Sequence, residues 1–266
     1  MRLRAGPGAD LPLVAMRRLL PTHPSPAAEL SDEELLADAA APAGDGVFVR
    51  FNMVTSLDGV GVLDGASAGL GTSADRRLFP RLRAVSDAIV VGSGTVRAEG
   101  YEGELLPPEL RAWRTQHGLA ERPVTVILSA RASLSPEAPV FSSSPGPLLL
   151  LVGADAPAER VAALRAVAEV QALASLEPDA VSAALLARGL RHLHHEGGPR
   201  VLRDYLAAGA VDSLCLTLSP LLAPGRPAAG IDSSGDAAAP AWMSLHRLYE
   251  QDSTLLADYR PGASRA

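Results

Sequence analysis

The sequence predicts an α/β fold built on a mostly parallel, doubly wound sheet with an antiparallel C-terminal edge. Three observations predict it. From residue 47 onward, apolar runs of strand length alternate with segments of helical spacing. Several of those runs are apolar without alternation, as strands covered on both faces are. The last two strand-like segments are joined by a short polar turn, which sends the second back along the first.

Residues 1–46 are rich in Pro and Ala and read as an N-terminal arm, in which Ser31 to Leu36 (SDEELL) forms a capping box opening a short helix. Residues 47–266 read as one domain. Its first strand, VFVRFNMVTSLDG, alternates Val47, Val49, Phe51 and Met53 with Phe48, Arg50 and Asn52 and ends in a turn at Asp58-Gly59. Ser73-Ala74-Asp75 precedes RRLFPRLRAV, where Leu78, Leu82 and Val85 keep helical spacing and Pro80 is expected to bend or interrupt the helix. DAIVVG, PVTVILS and PLLLLVG are three buried parallel strands, the first ending in Gly92-Ser93-Gly94-Thr95. AERVAALRAVAEV and VSAALLARGL read as helices, the second stopped by Gly189. LRHLHHE is a strand ending at Gly197-Gly198; Pro199 then stands at a helix N1 position, RVLRDYLAA carries the helix and Gly209 caps it. SLCLTLSP is the next strand. After an Ala/Pro/Gly/Ser-rich loop (223–240), WMSLHRLYEQDSTLLADYR forms two terminal strands with a turn at Gln251-Asp252-Ser253.

Composition excludes several functions. The net charge of -6 leaves no basic excess for a phosphate backbone, so nucleic-acid binding is not expected. No window offers ~20 uncharged apolar residues and no signal-peptide core is visible, so a cytoplasmic protein away from membranes is expected. One cysteine, Cys215, permits no intrachain disulfide. All 24 basic residues are arginines, which removes Walker A loops and Schiff-base chemistry.

The chemistry-bearing residues cluster at strand ends, where ligands bind in such sheets. Gly92, Gly94 and Thr95 in the first glycine segment, and Gly197 and Gly198 in the second, could cradle a diphosphate or could be ordinary strand-to-helix turns. A Rossmann fingerprint is absent, because Arg97 occupies its third glycine position. Asp58 and Glu196 are carboxylates at this edge, able to hold an amine or supply a proton; Asp58-Gly59 is equally a plain turn. His192, His194, His195 and Glu196 invite a metal reading, but no HExxH helix or cysteine partner accompanies them, and no metal is expected. Gly65-Ala66-Ser67-Ala68-Gly69 matches a nucleophile elbow, with Asp212 and His246 as possible partners, although its strand and helix context is poor.

Taken together, VRFNMVTSLDG, the G-x-S at Gly65 to Ser67, DRRLFPRLRAVSDAIVVGSGTVRAEGY and HHEGGPRVLRDYLAAGAVDSLCLTLSPLL resemble the reductase domain of the bacterial riboflavin deaminase-reductases, a dihydrofolate-reductase-like fold. GTVRAEGY resembles a stand-alone, actinobacterial-type branch. The resemblance implies an NADPH-dependent, homodimeric enzyme that passes hydride to the ribosyl C1′ of 5-amino-6-(5-phosphoribosylamino)uracil; the alternative is dihydrofolate or another small imine. It implies cofactor contacts at Gly92, Gly94, Thr95, Val96, Gly197 and Gly198, with Ser129 and Arg131 suited to the ribose 2′-phosphate. Substrate would lie against Asn52, Asp58, Ser67 and Glu196, with Asp75 and Arg76 near its polar end; Arg76 and Arg83 read equally well as a solvated helix face. The chain departs from the family's pattern in three places. Val60 replaces the lysine of SLDGK, Ala98-Glu99-Gly100 replaces the segment after G-T-V, and the zinc deaminase elements are missing.

Overall fold

The computed structural model describes residues 15–21, 29–42, 44–226 and 240–262. In chain order it runs β1 (Arg17–Leu20), α1 (Asp32–Ala39), β2 (Phe48–Thr55), α2 (Ser73–Ala84), β3 (Ala88–Gly92), α3 (Ser93–Glu99), α4 (Pro108–Gln116), β4 (Val124–Leu128), α5 (Pro139–Ser143) and β5 (Leu148–Gly153). It continues through α6 (Ala158–Arg165), β6 (Glu169–Leu173), α7 (Pro178–Leu186), β7 (His192–His195), α8 (Pro199–Ala207), β8 (Ser213–Leu218), β9 (Met243–Gln251) and β10 (Thr254–Pro261). Most of the loop at 223–240 and most of the arm before Ser31 lie outside the described residues.

All ten strands join one sheet in the order β1-β9-β10-β8-β2-β7-β3-β4-β5-β6. The seven from β8 to β6 run parallel, and β10, β9 and β1 are added antiparallel. The expected architecture is therefore present. One face of β2, β3, β4, β5 and β7 packs Val49, Phe51, Val90, Val126 and Leu193 against Val181 and Leu185 of α7 and Leu202 and Tyr205 of α8. The alternate residues Val91, Ile127, Leu150 and Val152 meet α3, α5 and α6 on the opposite face.

Several elements differ from the sequence reading. The helix expected through Val170 ends at Arg165, and Glu169–Leu173 forms edge strand β6 instead. Strand β1 was not foreseen; it pairs with β9, while Met16, Leu30, Leu35 and Leu36 pack into a core cluster with Leu78 and Leu82 of α2. Helix α4 was missed, and its buried Arg114 donates to the carbonyls of Ala84 and Ser86 at the end of α2. Pro80 does not interrupt α2, which is continuous from Ser73 to Ala84 around it. The lost N–H deprives the Arg76 carbonyl of one partner, a local deficit that packing overrides.

Candidate active site

The carboxyl ends of β2, β3 and β7 open into a cavity of about 530 Å³, within the range of small-molecule sites. The two glycine segments meet at its floor. Gly92 N donates to Gly197 O at 3.0 Å, and a Cβ on Gly198 would stand 2.9 Å from Thr95 Oγ1. No larger residue fits at Gly198 unless Thr95 moves. Gly197 has φ +94° and the Gly197–Gly198 peptide is cis. Gly94, Thr95, Gly197 and Gly198 all line the cavity, whereas the Val96 side chain points into the core beside Val91 and Ile127.

Helix α2 forms a wall. Asp75, Phe79 and Arg83 recur every four residues, so they share one face, and all three line the cavity. Thr217 Oγ1 donates to Asp75 Oδ1 at 2.7 Å, and burial raises the Asp75 carboxyl above its ordinary range against that bond. Arg83 does not lie on a solvated face. Its Nε and Nη2 donate to Glu196 Oε1 and Oε2 at 2.6 and 2.8 Å, and its Nη1 donates to Leu105 O at 3.1 Å. The guanidinium also stacks over the Phe79 ring at 4.2 Å. Tyr101 OH donates to Glu196 Oε2 at 2.6 Å. Burial and the neighbouring Glu196 carboxylate both raise the Tyr101 phenol well above its ordinary value. The Glu196 side chain is 2% exposed, and a buried carboxylate requires this density of partners.

Asn52, Ser67, Glu99 and Glu102 also line the cavity, and Ser67 N donates to Glu99 Oε1 at 2.7 Å, tying the loop after β2 to the end of α3. The remaining expected residues lie elsewhere. Asp58 is exposed and does not line the cavity: its carboxylate accepts from Ser56 Oγ at 2.6 Å and from Ala223 N at 3.0 and 3.1 Å, and these bonds lower its pKa. It staples two loops, outside the cavity lining. Arg76 is exposed and does not line the cavity, its Nη1 donating to Gly71 O. Ser129 Oγ accepts from Ser133 N inside the turn after β4, and Arg131 is exposed on that turn. Arg97 reaches the same corner, its Nη1 donating to Ser133 Oγ at 3.1 Å. The hydrolase triad is not assembled, because Asp212 accepts from Val49 N and His246 sits on β9, and neither lines the cavity with Ser67.

The histidines of β7 are packing residues. His195 stacks on Phe51 at 4.5 Å, His194 is fully buried behind Glu196 and His192 Nδ1 meets Val85 O at 2.7 Å. Sequence reasoning missed Phe79, Glu99, Tyr101 and Arg97 as site-forming residues. The spacing of Asp75, Phe79 and Arg83 was the one signal that could have found part of the wall.

Known proteins match this chain. The RibD C-terminal domain family matches residues 47–237. The 2,5-diamino-6-ribosylamino-4(3H)-pyrimidinone 5′-phosphate reductase of Archaeoglobus fulgidus is 32% identical over 183 residues, 67% of this chain and 83% of that protein. Its namesake from Methanothermobacter thermautotrophicus is 30% identical over 220 residues, 80% and 97% of the two chains. The crystal structure of a pyrimidine reductase-like protein from Corynebacterium diphtheriae superposes with a TM-score of 0.73 at 28% identity, covering 88% of this chain and 100% of that one. With the matched segment spanning the parallel strands and every cavity-lining residue, the chain belongs to the RibD C-terminal domain family.

Proposed function

We propose that this chain is an NADPH-dependent reductase of riboflavin biosynthesis acting on a 6-ribosylaminopyrimidine phosphate. The observation that carries the reading is the meeting of the two glycine segments on the floor of a cavity walled by Asp75, Phe79 and Glu196. A Cβ at Gly198 would fill the space against Thr95, so the bare backbone suits the close approach of a dinucleotide. Arg97, Ser133 and Arg131 gather at the corner beyond α3, a donor set suited to a 2′-phosphate. When bound, the reduced nicotinamide supplies the hydride for the ribosyl C1′, and opening the sugar to a ribityl chain takes up one proton.

The chain's own residues orient and polarise. Phe79 offers a flat apolar surface to a heterocycle. Asp75, with its carboxyl raised by burial, is suited to hold a proton nearer to neutral pH than an exposed aspartate does. Asn52 supplies both a donor and an acceptor, and Arg76, exposed on α2 one residue beyond Asp75, suits the sugar phosphate. Leu19, Leu20, Trp242 and Leu245 are exposed apolar groups at the antiparallel end of the sheet and support a homodimer, which sedimentation tests. None of the described helices is long and apolar enough to cross a membrane.

The test is NADPH oxidation by the purified chain with the aminopyrimidine substrate, beside calorimetry of NADPH and NADH. Turnover and a preference for NADPH are expected. Absence of turnover, or equal binding of the two dinucleotides, overturns the corresponding half of the proposal.

A further inference from the structure

A second cavity, of about 20 Å³, lies between the sheet and helices α1 and α2. It has room for a single water or monatomic ion. Leu35 and Ala39 of α1, Leu78 and Leu82 of α2 and Leu256 of β10 give it apolar walls, into which Arg50, Asn52, Cys215, Asp38 and Asp258 are set. Thr217 and Tyr249 also line it, but their hydroxyls donate to Asp75 and Asp38.

Arg50 is the largest fully buried side chain among the described residues, at 1% exposed. A guanidinium keeps its charge at physiological pH, so it cannot escape burial by losing its proton as a lysine or histidine does. Among the described residues no carboxylate pairs with it. Its Nε makes one long bond, to Ser213 Oγ at 3.5 Å, and Nη1 is buried without a partner. The Phe48 ring, 5.3 Å from the guanidinium carbon, covers one face but offers nothing in the plane of the N–H groups.

The neighbouring carboxylates are committed to other arginines. Asp38 accepts from Arg18 Nη2 at 2.6 Å and stands 3.3 Å from Arg247 Nε. Asp258 accepts from Ser213 Oγ at 2.7 Å and stands 3.8 and 3.7 Å from Arg247 and Arg260. Arg18, Arg50, Arg247 and Arg260 thus face two aspartates, and water reaches every one of these arginines except Arg50. His192 and His194 on β7 are kept neutral by burial and by the charge of Arg50, and bring no anion. A buried charge needs a partner.

We propose that this cavity is a halide site that takes chloride, with Arg50 Nη1 as its main donor and the Asn52 amide and Cys215 thiol beside it. Burial raises the Cys215 thiol to about 11, so its S–H remains a weak donor at neutral pH. The leucines supply the weakly hydrating surroundings that suit a large monovalent ion, and the room excludes a polyatomic oxyanion. Because α1 closes the cavity through Leu35 and Ala39, bound ion stabilises the attachment of the amino-terminal arm to the domain.

The site is independent of the reductase reading, and its test needs no turnover. Thermal unfolding of the full chain is followed in sodium chloride and in sodium gluconate at matched ionic strength, for the unaltered chain and for Arg50→Met. Chloride should raise the midpoint by about 2–4 °C over gluconate and saturate with concentration. Arg50→Met should erase the difference. Equal midpoints in the two salts, or a chloride increment that survives in Arg50→Met, overturns the proposal. If Arg50→Met does not fold, crystals of the unaltered chain soaked in bromide decide. An anomalous peak within hydrogen-bond distance of Arg50 Nη1 upholds the site; no peak there means that water alone solvates the guanidinium, and overturns it.

Discussion

Asp58 and Glu196 both stand just beyond the carboxyl end of a parallel strand, β2 and β7, yet their surroundings are opposite. Asp58 is in water and holds Ser56 and the backbone of Ala223 together. Glu196 is shut in by Arg83, Tyr101 and, at 3.6 Å, His194. The difference lies in the path the backbone takes beyond each residue. After Asp58 the chain turns immediately, with Gly59 N bonding back to Ser56 O, and the carboxylate faces outward. After Glu196 the glycines run beneath α2 and α3, so the side chain is enclosed. A strand-end address narrows a site to one edge of a sheet; the next turn decides whether a residue enters it.

Four measurements bear on this contrast, the largest effect first. Burial depresses His192 and His195 from the usual 6.5 to about 3 and carries His194 well below its ordinary value. The folded chain keeps all three neutral, while the unfolded chain protonates them below about 6.5. Stability is therefore fully present above that pH and falls as pH drops towards 3, by about 1.4 kcal/mol per pH unit for each histidine. Urea midpoints at pH 7.5 and 5.5 read this; a flat profile would show that β7 opens without uncovering its histidines. Next, Arg83→Met leaves Glu196 buried without its cation and should cost about 3–5 kcal/mol of stability, read as a shift in the same midpoint. A shift no larger than that of a surface arginine would put Glu196 in solvent.

Gly198→Ala comes third. The new Cβ meets Thr95 Oγ1, and NADPH binding should weaken about tenfold, or 1.4 kcal/mol, by calorimetry, with little change in fold. Undiminished affinity would detach the glycines from the cofactor. Smallest is Asp58→Asn, which should leave kcat and NADPH affinity unchanged and lower the melting temperature slightly. A large loss of turnover at unchanged stability would return Asp58 to the chemistry and erase the contrast.

Much of the sheet was legible because burial on both faces leaves a direct trace. The strands at Ala88–Gly92, Val124–Leu128 and Leu148–Gly153 are almost wholly apolar and come after clear turn residues. Edge strands leave no such trace. Glu169–Leu173 is half exposed and continues the alanine-rich pattern of α6, so periodicity extended the helix through it. Arg17–Leu20 is four residues with two arginines, and only its partner β9 makes it a strand. In the site, the glycine segments were readable from composition and position. The Arg83–Glu196 pair was not, because 113 residues separate partners that a helix face and a strand end bring together. The Tyr101 contact depends likewise on α3 turning back over β7, which no local pattern encodes.

The edge made by β1 has a consequence for synthesis. Arg17 pairs with Glu250 across 233 residues, so the first described strand finds its place after nearly everything else has been made. At roughly 5–20 residues per second the wait is about 10–50 s. Throughout it, Met16, Leu30 and Leu35 lack Tyr249 and Leu256, the C-terminal members of their cluster. The cluster around the amino-terminal arm is thus completed only once the β9–β10 hairpin has been made.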